Sequence, residues 1–457
     1  MESSDVLSSI KKIHFVGIGG SGMCPLAEIL HKRGYELTGS DNNESETLDR
    51  IRSYGIPVTM GHKPENVDGA ELVVYTAAVK ADNPELVAAK EKGIPAVERS
   101  VMLGMVTRRY KNSIAVSGTH GKTTTTAMIT QVLINAGVDP SAVIGGKLPF
   151  INGNGRAGGS DTIVCEACEY VDTFLQLTPA VSVILNVDAD HLDYFGTLEN
   201  IIRSFRQFAE QTTDLLVVNG DDENSMKAVQ GLKTPVVTFG FNPSNDYYAD
   251  NVLGTKQARE FFSIMKHGKK IADVTLSVPG RHNIYNALAA FAVADSMNID
   301  AESIVSSLHQ FTGVHRRFEI LGNFNGITVA DDFAHHPTEL TATLTAAKQM
   351  GFRRVWAVFQ PHTYSRTYLL LDEFAKALSI ADHVVLSEIL AVREENTYNI
   401  YAKDLADKIP GSVWFKTFEE ISNYVTARAE SGDLILTLGG GDVYKCAHEI
   451  VEKYQGK

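Results

Sequence analysis

Ser113-Ile-Ala-Val-Ser-Gly118-Thr-His-Gly121-Lys122-Thr123-Thr124-Thr125 decides how this chain is read. An apolar run with strand character enters a glycine turn, and Lys-Thr opens a predicted helix. Glycines let the backbone approach a ligand closely, and successive N–H groups at a helix start point at an anion. Lys122 adds a cation and Thr123 a hydroxyl suited to Mg²⁺. The strict G-x-x-x-x-G-K-[ST] pattern is not met, because Val116 stands where its first glycine would be. The shorter loop Gly118-x-x-Gly121-Lys122-Thr123 keeps the order strand, glycine, Lys-Thr, helix. That order predicts a nucleoside triphosphate site made by Gly118, Thr119, His120, Gly121, Lys122, Thr123 and Thr124.

Working outward, 457 residues exceed one hydrophobic core and suggest about three domains. A hydrophobic content of 44% and a charged content of 21% are those of a globular chain. No apolar run reaches membrane-spanning length, and Met1–Asp5 lacks a basic leader segment, so a cytoplasmic location is expected. The net charge of −13 argues against nucleic acid or an anionic membrane as partner. Four cysteines fit a reducing compartment, and the Cys165-x-x-Cys168 spacing has no second pair to complete a zinc site.

Three α/β segments follow one another. Residues 1–110 open with Ile13-His-Phe-Val-Gly17-Ile-Gly19-Gly20-Ser21-Gly22, a strand running into a glycine turn. A helix and a second strand ending at Asp41 complete a Rossmann-like beginning. Residues 111–312 carry the phosphate loop, strands at 162–165, 181–185 and 215–218, and a β-rich stretch from Tyr247 to Val278. This predicts a P-loop ATPase-type parallel sheet with a small appended sheet. Residues 313–457 alternate again, with strands at 327–330, 355–359, 383–386 and 434–437, and read as a second Rossmann-like domain. Gly439-Gly440-Gly441-Asp442 lies just past the last strand, where such sheets place ligand loops.

Chemistry-bearing residues gather at the strand ends. Gly17-x-Gly19-x-x-Gly22 with Asp41 matches a dinucleotide fingerprint. Its physics asks only for a diphosphate at a helix start and a carboxylate near a ribose, which UDP compounds also satisfy. No hydride-transfer machinery accompanies it, so a UDP-linked substrate on Gly19, Gly20, Ser21, Gly22 and Asp41 is preferred over a dehydrogenase. Glu166 follows the strand at 162–165, where a second Mg²⁺ ligand belongs. Asp188, Asp190, His191 and Asp193 collect at the next strand end. His282, Asn283 and Asn286 share one helix turn, and Asn amides can read an adenine edge. Arg316-Arg317, Asp331-Asp332-Phe333-Ala-His335-His336 and Gln360-Pro-His362-Thr-Tyr-Ser-Arg366 suit anion binding and proton handling. None of them supplies a nucleophile triad.

These motifs resemble the Mur ligase family over nearly the whole chain. The carriers are Gly17–Met23, Gly118–Thr124, Glu166-Ala-Cys-Glu169, Asp190-His-Leu-Asp193, Gly280–Asn286, Arg316-Arg-Phe-Glu319 and Asp331–Pro337. The resemblance implies three domains that take a UDP substrate, ATP and an amino acid in turn. It implies ATP and Mg²⁺ as cofactors. The His-His-Pro and Gln-Pro-His runs and Gly17–Met23 point to the member that joins L-alanine to UDP-N-acetylmuramate in peptidoglycan precursor synthesis. The member that recycles a murein tripeptide is the alternative. By the same resemblance Lys122, Glu166, His191, Arg317 and Asp332 are catalytic, and Thr123, Glu166 and His191 serve metal. Asn283 and Asn286 face adenine, and Phe333, His335, His362 and Arg366 surround the amino acid. A monomer or weak homodimer is expected.

The chain departs from the family at three places. Thr363 stands where relatives often have Arg, Phe333 where they have Tyr, and Cys168 where many have Asp. Several relatives carry a carbamylated lysine after the Asp-His segment. No lysine occurs here between Asp190 and Lys227, so that modification is not expected.

Overall fold

The computed structural model describes residues 6–255, 259–392 and 394–456. Met1–Asp5 and the side chain of Asp193 lie outside the described set. The chain packs as two compact units. One comprises residues 1–248, 266–269 and 286–307, and the other 249–265, 270–285 and 308–457.

The first unit holds two sheets. The smaller is wholly parallel, in the order Val58–Met60, Glu36–Asp41, Lys12–Val16, Leu72–Tyr75, Ala96–Glu98. Its first strand in sequence lies at the centre with later strands to both sides, so the order reverses there. The loop leaving Val16 opens at that switch point, where α/β sheets bind ligands. Phe15 and Val16 are fully buried, which is why this strand reads as an unbroken apolar run.

In the larger sheet the phosphate-loop strand Asn112–Ser117 lies between Val181–Ile184 and Thr162–Glu166, all parallel. Leu215–Asn219 and Val236–Gly240 extend it on one side and Ser141–Leu148 on the other. Ile114, Ala115 and Val116 are buried, so Val116 serves as core where the strict motif has glycine. Tyr247 and Tyr248 pair in parallel with Phe239 and Gly240, so the strand Tyr247–Thr255 starts as a continuation of this sheet. The antiparallel partnership of Ser141–Leu148 with Gly153–Arg156 was not expected. Its glycines (Gly145, Gly146, Gly153, Gly155) look like loop in the sequence. Gly145, Gly153 and Gly155 lie so close to Glu166, Arg50 and Pro25 respectively that a side chain there would collide with them.

The second unit contains a six-stranded sheet ordered Glu319–Phe324, Ile327–Asp332, Leu434–Leu438, Val355–Phe359, His383–Leu386, Val413–Trp414. All pairings are parallel except the first, an antiparallel edge. Leu340, Leu344, Phe359, Phe374 and Leu436 build the core on one face, and Trp356, Val358, Ile435 and Ile450 on the other. Cys24, Cys165, Cys168 and Cys446 are all free thiols. Among the described residues no helix is long and apolar enough to cross a membrane.

Candidate active site

The phosphate loop needs glycine at two positions. Gly118 and Gly121 have φ of +140° and +85°, and a side chain at Gly121 would press on the Asn286 amide oxygen. The same oxygen accepts from the Thr125 hydroxyl at 3.1 Å. Asn186 clamps the loop from the neighbouring strand end, accepting from the His120 N–H at 2.8 Å and donating to the His120 carbonyl at 3.1 Å. The Asp188 N–H donates to the Thr119 hydroxyl at 2.9 Å.

Lys122, the first residue of the helix Lys122–Asn135, folds back over the loop. Its ammonium donates to the carbonyls of Gly118 (2.5 Å) and Thr119 (3.1 Å) and to both oxygens of Glu169 (3.1 and 2.9 Å). Burial opposes its charge, but the Glu169 carboxylate overrides this and holds the ammonium above its ordinary value. Glu169 is 2% exposed. It is therefore the buried partner of Lys122, a role its place in Glu166-Ala-Cys-Glu169 did not announce. Thr123 and Thr124 are buried in the first helical turn.

Glu166 ends its strand and accepts the Gly145 N–H at 2.5 Å. Cys168 stays a neutral thiol, because burial and then Glu169 raise its pKa. His191 sits at a left-handed φ of +52°, its ring 4.6 Å from that of Tyr170. Val171 and Asp172 share that unusual region at +53° and +54°, so backbone strain is concentrated beside the candidate metal residues.

A cavity of about 320 Å³ opens beside the segment that begins at Glu166. One wall is Gly20, Ser21, Gly22 and Met23, the other Val143, Ile144, Gly145, Glu166 and Cys168. The glycine turn and the Glu166 carboxylate thus face one space. Asp41 accepts the Gly19 N–H at 2.9 Å and the Asn43 N–H at 3.1 Å, so the carboxylate expected near a ribose also ties its own loop. Arg99 was missed by sequence reading. It lines the cavity with its side chain against Gly22, and makes no ion pair with any described carboxylate. A cation beside a glycine turn is the signal that identifies it, and only the fold places the two together.

In the second unit the His-His-Pro and Gln-Pro-His runs meet. The His335 ring lies 5.3 Å from Phe333 and 5.5 Å from His362, and an Arg366 guanidinium nitrogen lies 3.3 Å from His362 Nδ1. Gly440 brings its backbone under His335. Thr363, at φ +63°, accepts the Arg366 N–H at 3.4 Å and caps the helix Tyr364–Leu369. His336 likewise caps the helix Pro337–Gln349.

Asp332 is 6% exposed and accepts the N–H groups of Phe318 (2.6 Å) and Ala334 (2.8 Å). Burial pushes its pKa up to about 6 despite the opposing field of Arg317. The Arg317 guanidinium lies 5.2 Å from the centroid of the Phe333 ring. Arg316 bonds Asp331 at 2.9 Å and the Gly439 carbonyl at 2.7 Å, so it braces the glycine loop past the last strand. Asn283 donates to the Pro279 carbonyl at 2.6 Å, and His282 lines a cavity of about 740 Å³ with Arg281, Pro337 and Thr338.

Family models match three consecutive parts of the chain: the Mur ligase family catalytic domain at 12–111, the middle domain at 116–294 and the glutamate ligase domain at 316–441. A UDP-N-acetylmuramate–L-alanine ligase of Caldanaerobacter subterraneus subsp. tengcongensis is 44% identical over 453 residues, 98% of each chain. The chain belongs to the Mur ligase family. Another curated Mur ligase relative, the UDP-N-acetylmuramate–L-alanine ligase of Acetivibrio thermocellus, is 43% identical over 464 residues, covering 100% of this chain and 99% of its own. The solved UDP-N-acetylmuramate–alanine ligase of Thermotoga maritima superposes with a TM-score of 0.82 at 32% identity, over 97% of this chain and 99% of that one. A murein peptide ligase from Psychrobacter arcticus shares the Mur ligase fold with a TM-score of 0.73 at 24% identity.

Proposed function

We propose that the protein joins L-alanine to the lactyl carboxylate of UDP-N-acetylmuramate, driven by ATP, in the cytoplasmic synthesis of peptidoglycan precursor. The observation that carries this reading is the single cavity in which Gly20–Met23 and Arg99 face Glu166, one strand away from the Lys122 loop. A diphosphate sits at the glycine turn with Arg99 as counter-charge, and this directs the sugar's carboxylate toward the phosphate loop. Residues 1–110, 111–312 and 313–457 act as the UDP-substrate, ATP and amino-acid parts.

The substrate carboxylate attacks the γ-phosphorus of ATP, the bond to the β–γ bridging oxygen breaks, and ADP leaves. The amine of alanine then attacks the acyl phosphate carbonyl, loses a proton and expels inorganic phosphate. Lys122 exchanges its Gly118 and Thr119 carbonyl contacts for phosphate oxygens, and Glu169 keeps it charged. Thr123 and Glu166 are hard oxygen donors at neighbouring strand and helix ends, a set that fits Mg²⁺. His191 fits direct ligation less well, since Mg²⁺ favours oxygen, and suits a metal-bound water or a phosphate oxygen. Bound Mg²⁺ supplies neutralisation of phosphate charge. His282, Asn283 and Asn286 serve the adenine side. Arg366 pairs the alanine carboxylate, with His335, His362 and Phe333 framing the small side chain and Arg317 and Asp332 completing the polar wall.

Phosphate release from ATP tests the reading, with UDP-N-acetylmuramate present and alanine, serine, glycine or the murein tripeptide supplied in turn. Release should require both co-substrates and be fastest with alanine. Preferred turnover of the tripeptide would replace alanine ligation with the recycling reaction, and release without a UDP-sugar would remove the cavity assignment.

A further inference from the structure

The cavity between the glycine turn and Glu166 has two walls from segments far apart in sequence, and one hairpin joins them. The strand Ser141–Leu148 pairs with Gly153–Arg156 at Val143 and again at Leu148, with an irregularity between. That irregular stretch contains Gly145, whose N–H holds Glu166 at 2.5 Å, and Val143, Ile144 and Gly145 line the cavity. The hairpin's other arm is gripped from the glycine-turn side. Arg50, on the helix Glu46–Ser53, donates to the carbonyls of Asn152 (2.7 Å) and Gly155 (3.0 Å). The same guanidinium is ion-paired with Glu28: a terminal nitrogen donates to the carboxylate at 3.0 Å, while Nε lies 2.6 Å from it without hydrogen-bond geometry. Glu28 is 5% exposed and lies on the helix Cys24–Lys32, which continues directly from Gly20–Met23.

The contact is built for closeness. A side chain at Gly153 would collide with the Arg50 guanidinium, and one at Gly155 with Pro25. Asn154 donates to the Ser21 carbonyl inside the glycine turn, and Lys32 donates to the Ala157 carbonyl at 2.8 Å. Burial raises the Glu28 pKa, while Arg50 opposes that rise by hydrogen bond and charge.

We propose that Arg50, with Glu28, is a positioning residue for the ligation. It locks the hairpin to the helix behind the glycine turn and so sets the separation between the bound UDP-sugar and the Glu166 carboxylate. A planar guanidinium can hold a carboxylate and still donate to two carbonyls, a geometry that the compact ammonium of lysine does not reproduce. The effect on turnover rests on the ligase reading above. The mechanical link from Arg50 to Gly145 does not.

The test uses Arg50→Ala, Arg50→Lys and the double variant Arg50→Met/Glu28→Gln, which leaves no stranded buried charge if the single alanine variant folds poorly. Small displacements of reacting groups are felt strongly, so kcat with UDP-N-acetylmuramate should fall roughly tenfold to a hundredfold. The KM for this substrate should rise, the KM values for ATP and alanine should stay near wild type, and Arg50→Lys should recover part of the loss. Hydrogen exchange of the substrate-free protein should show faster exchange at Gly145–Lys147 as well as at the hairpin tip. If the folded variants keep wild-type kcat and UDP-sugar KM, or if exchange rises only at the tip, Arg50 merely stabilises and the proposal falls. If wild type does not turn over UDP-N-acetylmuramate, the functional reading fails, and exchange at Gly145–Lys147 still decides the mechanical link.

Discussion

The phosphate loop and the histidine–arginine cluster are built in opposite ways. Gly118–Thr125 is one contiguous stretch whose charge is answered within its own unit. Lys122 already bonds two carbonyls and Glu169, and Asn186 and Asn286 brace the turn. The cluster of Arg317, Asp332, Phe333, His335, His362 and Arg366 comes from several strand ends. Non-glycine residues there take left-handed backbones: Arg316 at φ +60°, Phe318 at +46° and Thr363 at +63°. A preorganised loop can be carried by local motif, whereas an assembled site stores strain that only the surrounding sheet can hold. The loop should therefore answer substitution with loss of chemistry, and the cluster with changes of affinity, pH response and stability.

The largest expected effect is at Lys122. Lys122→Ala should lower kcat by about 10²–10³-fold, as removal of a preorganised charge donor does. It also leaves the buried Glu169 unpaired, so stability should drop by up to about 3 kcal/mol. Lys122→Ala/Glu169→Gln should regain stability in urea unfolding without regaining turnover. Recovery of both would break the contrast by making the loop lysine structural.

Arg366→Ala comes next. It should raise the KM for alanine roughly tenfold to a hundredfold, the usual worth of a charge-assisted hydrogen bond, and leave the KM for ATP almost unchanged. Arg366→Lys should rescue partly. Steady-state kinetics with each substrate varied separately measures both. Equal increases for the two substrates would place Arg366 outside the amino-acid site.

Asp332 gives a pH signature. Its native pKa of about 6 lies above the ordinary 3.8, so between these values the folded protein holds a proton that the unfolded chain lacks. Its contribution to stability is full below about pH 4 and is lost as pH rises through 6. The ionised carboxylate is the form that balances Arg317, so kcat/KM should rise through about pH 6. Asp332→Asn should remove that limb from the rate profile and flatten the decline in stability. An unchanged profile would assign the limb to another group.

The smallest effect is expected at Thr363. Thr363→Ala removes the hydroxyl that caps the helix carrying Arg366 and should cost about 1 kcal/mol, read as a modest drop in Tm. A large loss of alanine affinity with no change in Tm would show that the threonine touches substrate rather than positioning the arginine.

The alternation of strands and helices, the glycine turns at Gly17–Gly22 and Gly118–Gly121, and the Lys122-Thr123 helix start were legible in the sequence. They depend on neighbours a few residues apart, where apolar periodicity and glycine's backbone freedom leave strong local signals. The meeting of His335, His362 and Arg366 was anticipated through family resemblance, since nothing local in those residues requires it. The pairing of Glu169 with Lys122, the placement of Arg99 at Gly22 and the grip of Arg50 on Gly153–Gly155 were settled by tertiary structure alone. Each joins segments tens of residues apart, and each carries its meaning in a charge answered or left open within a few ångströms. Sequence determined the main alternation of strands and helices and which residues could bind anions, but not the glycine-rich hairpin of Ser141–Leu148 with Gly153–Arg156. Only packing decided which carboxylate answers which cation, because burial sets the energy of an unpaired charge and burial exists only once the sheets have assembled.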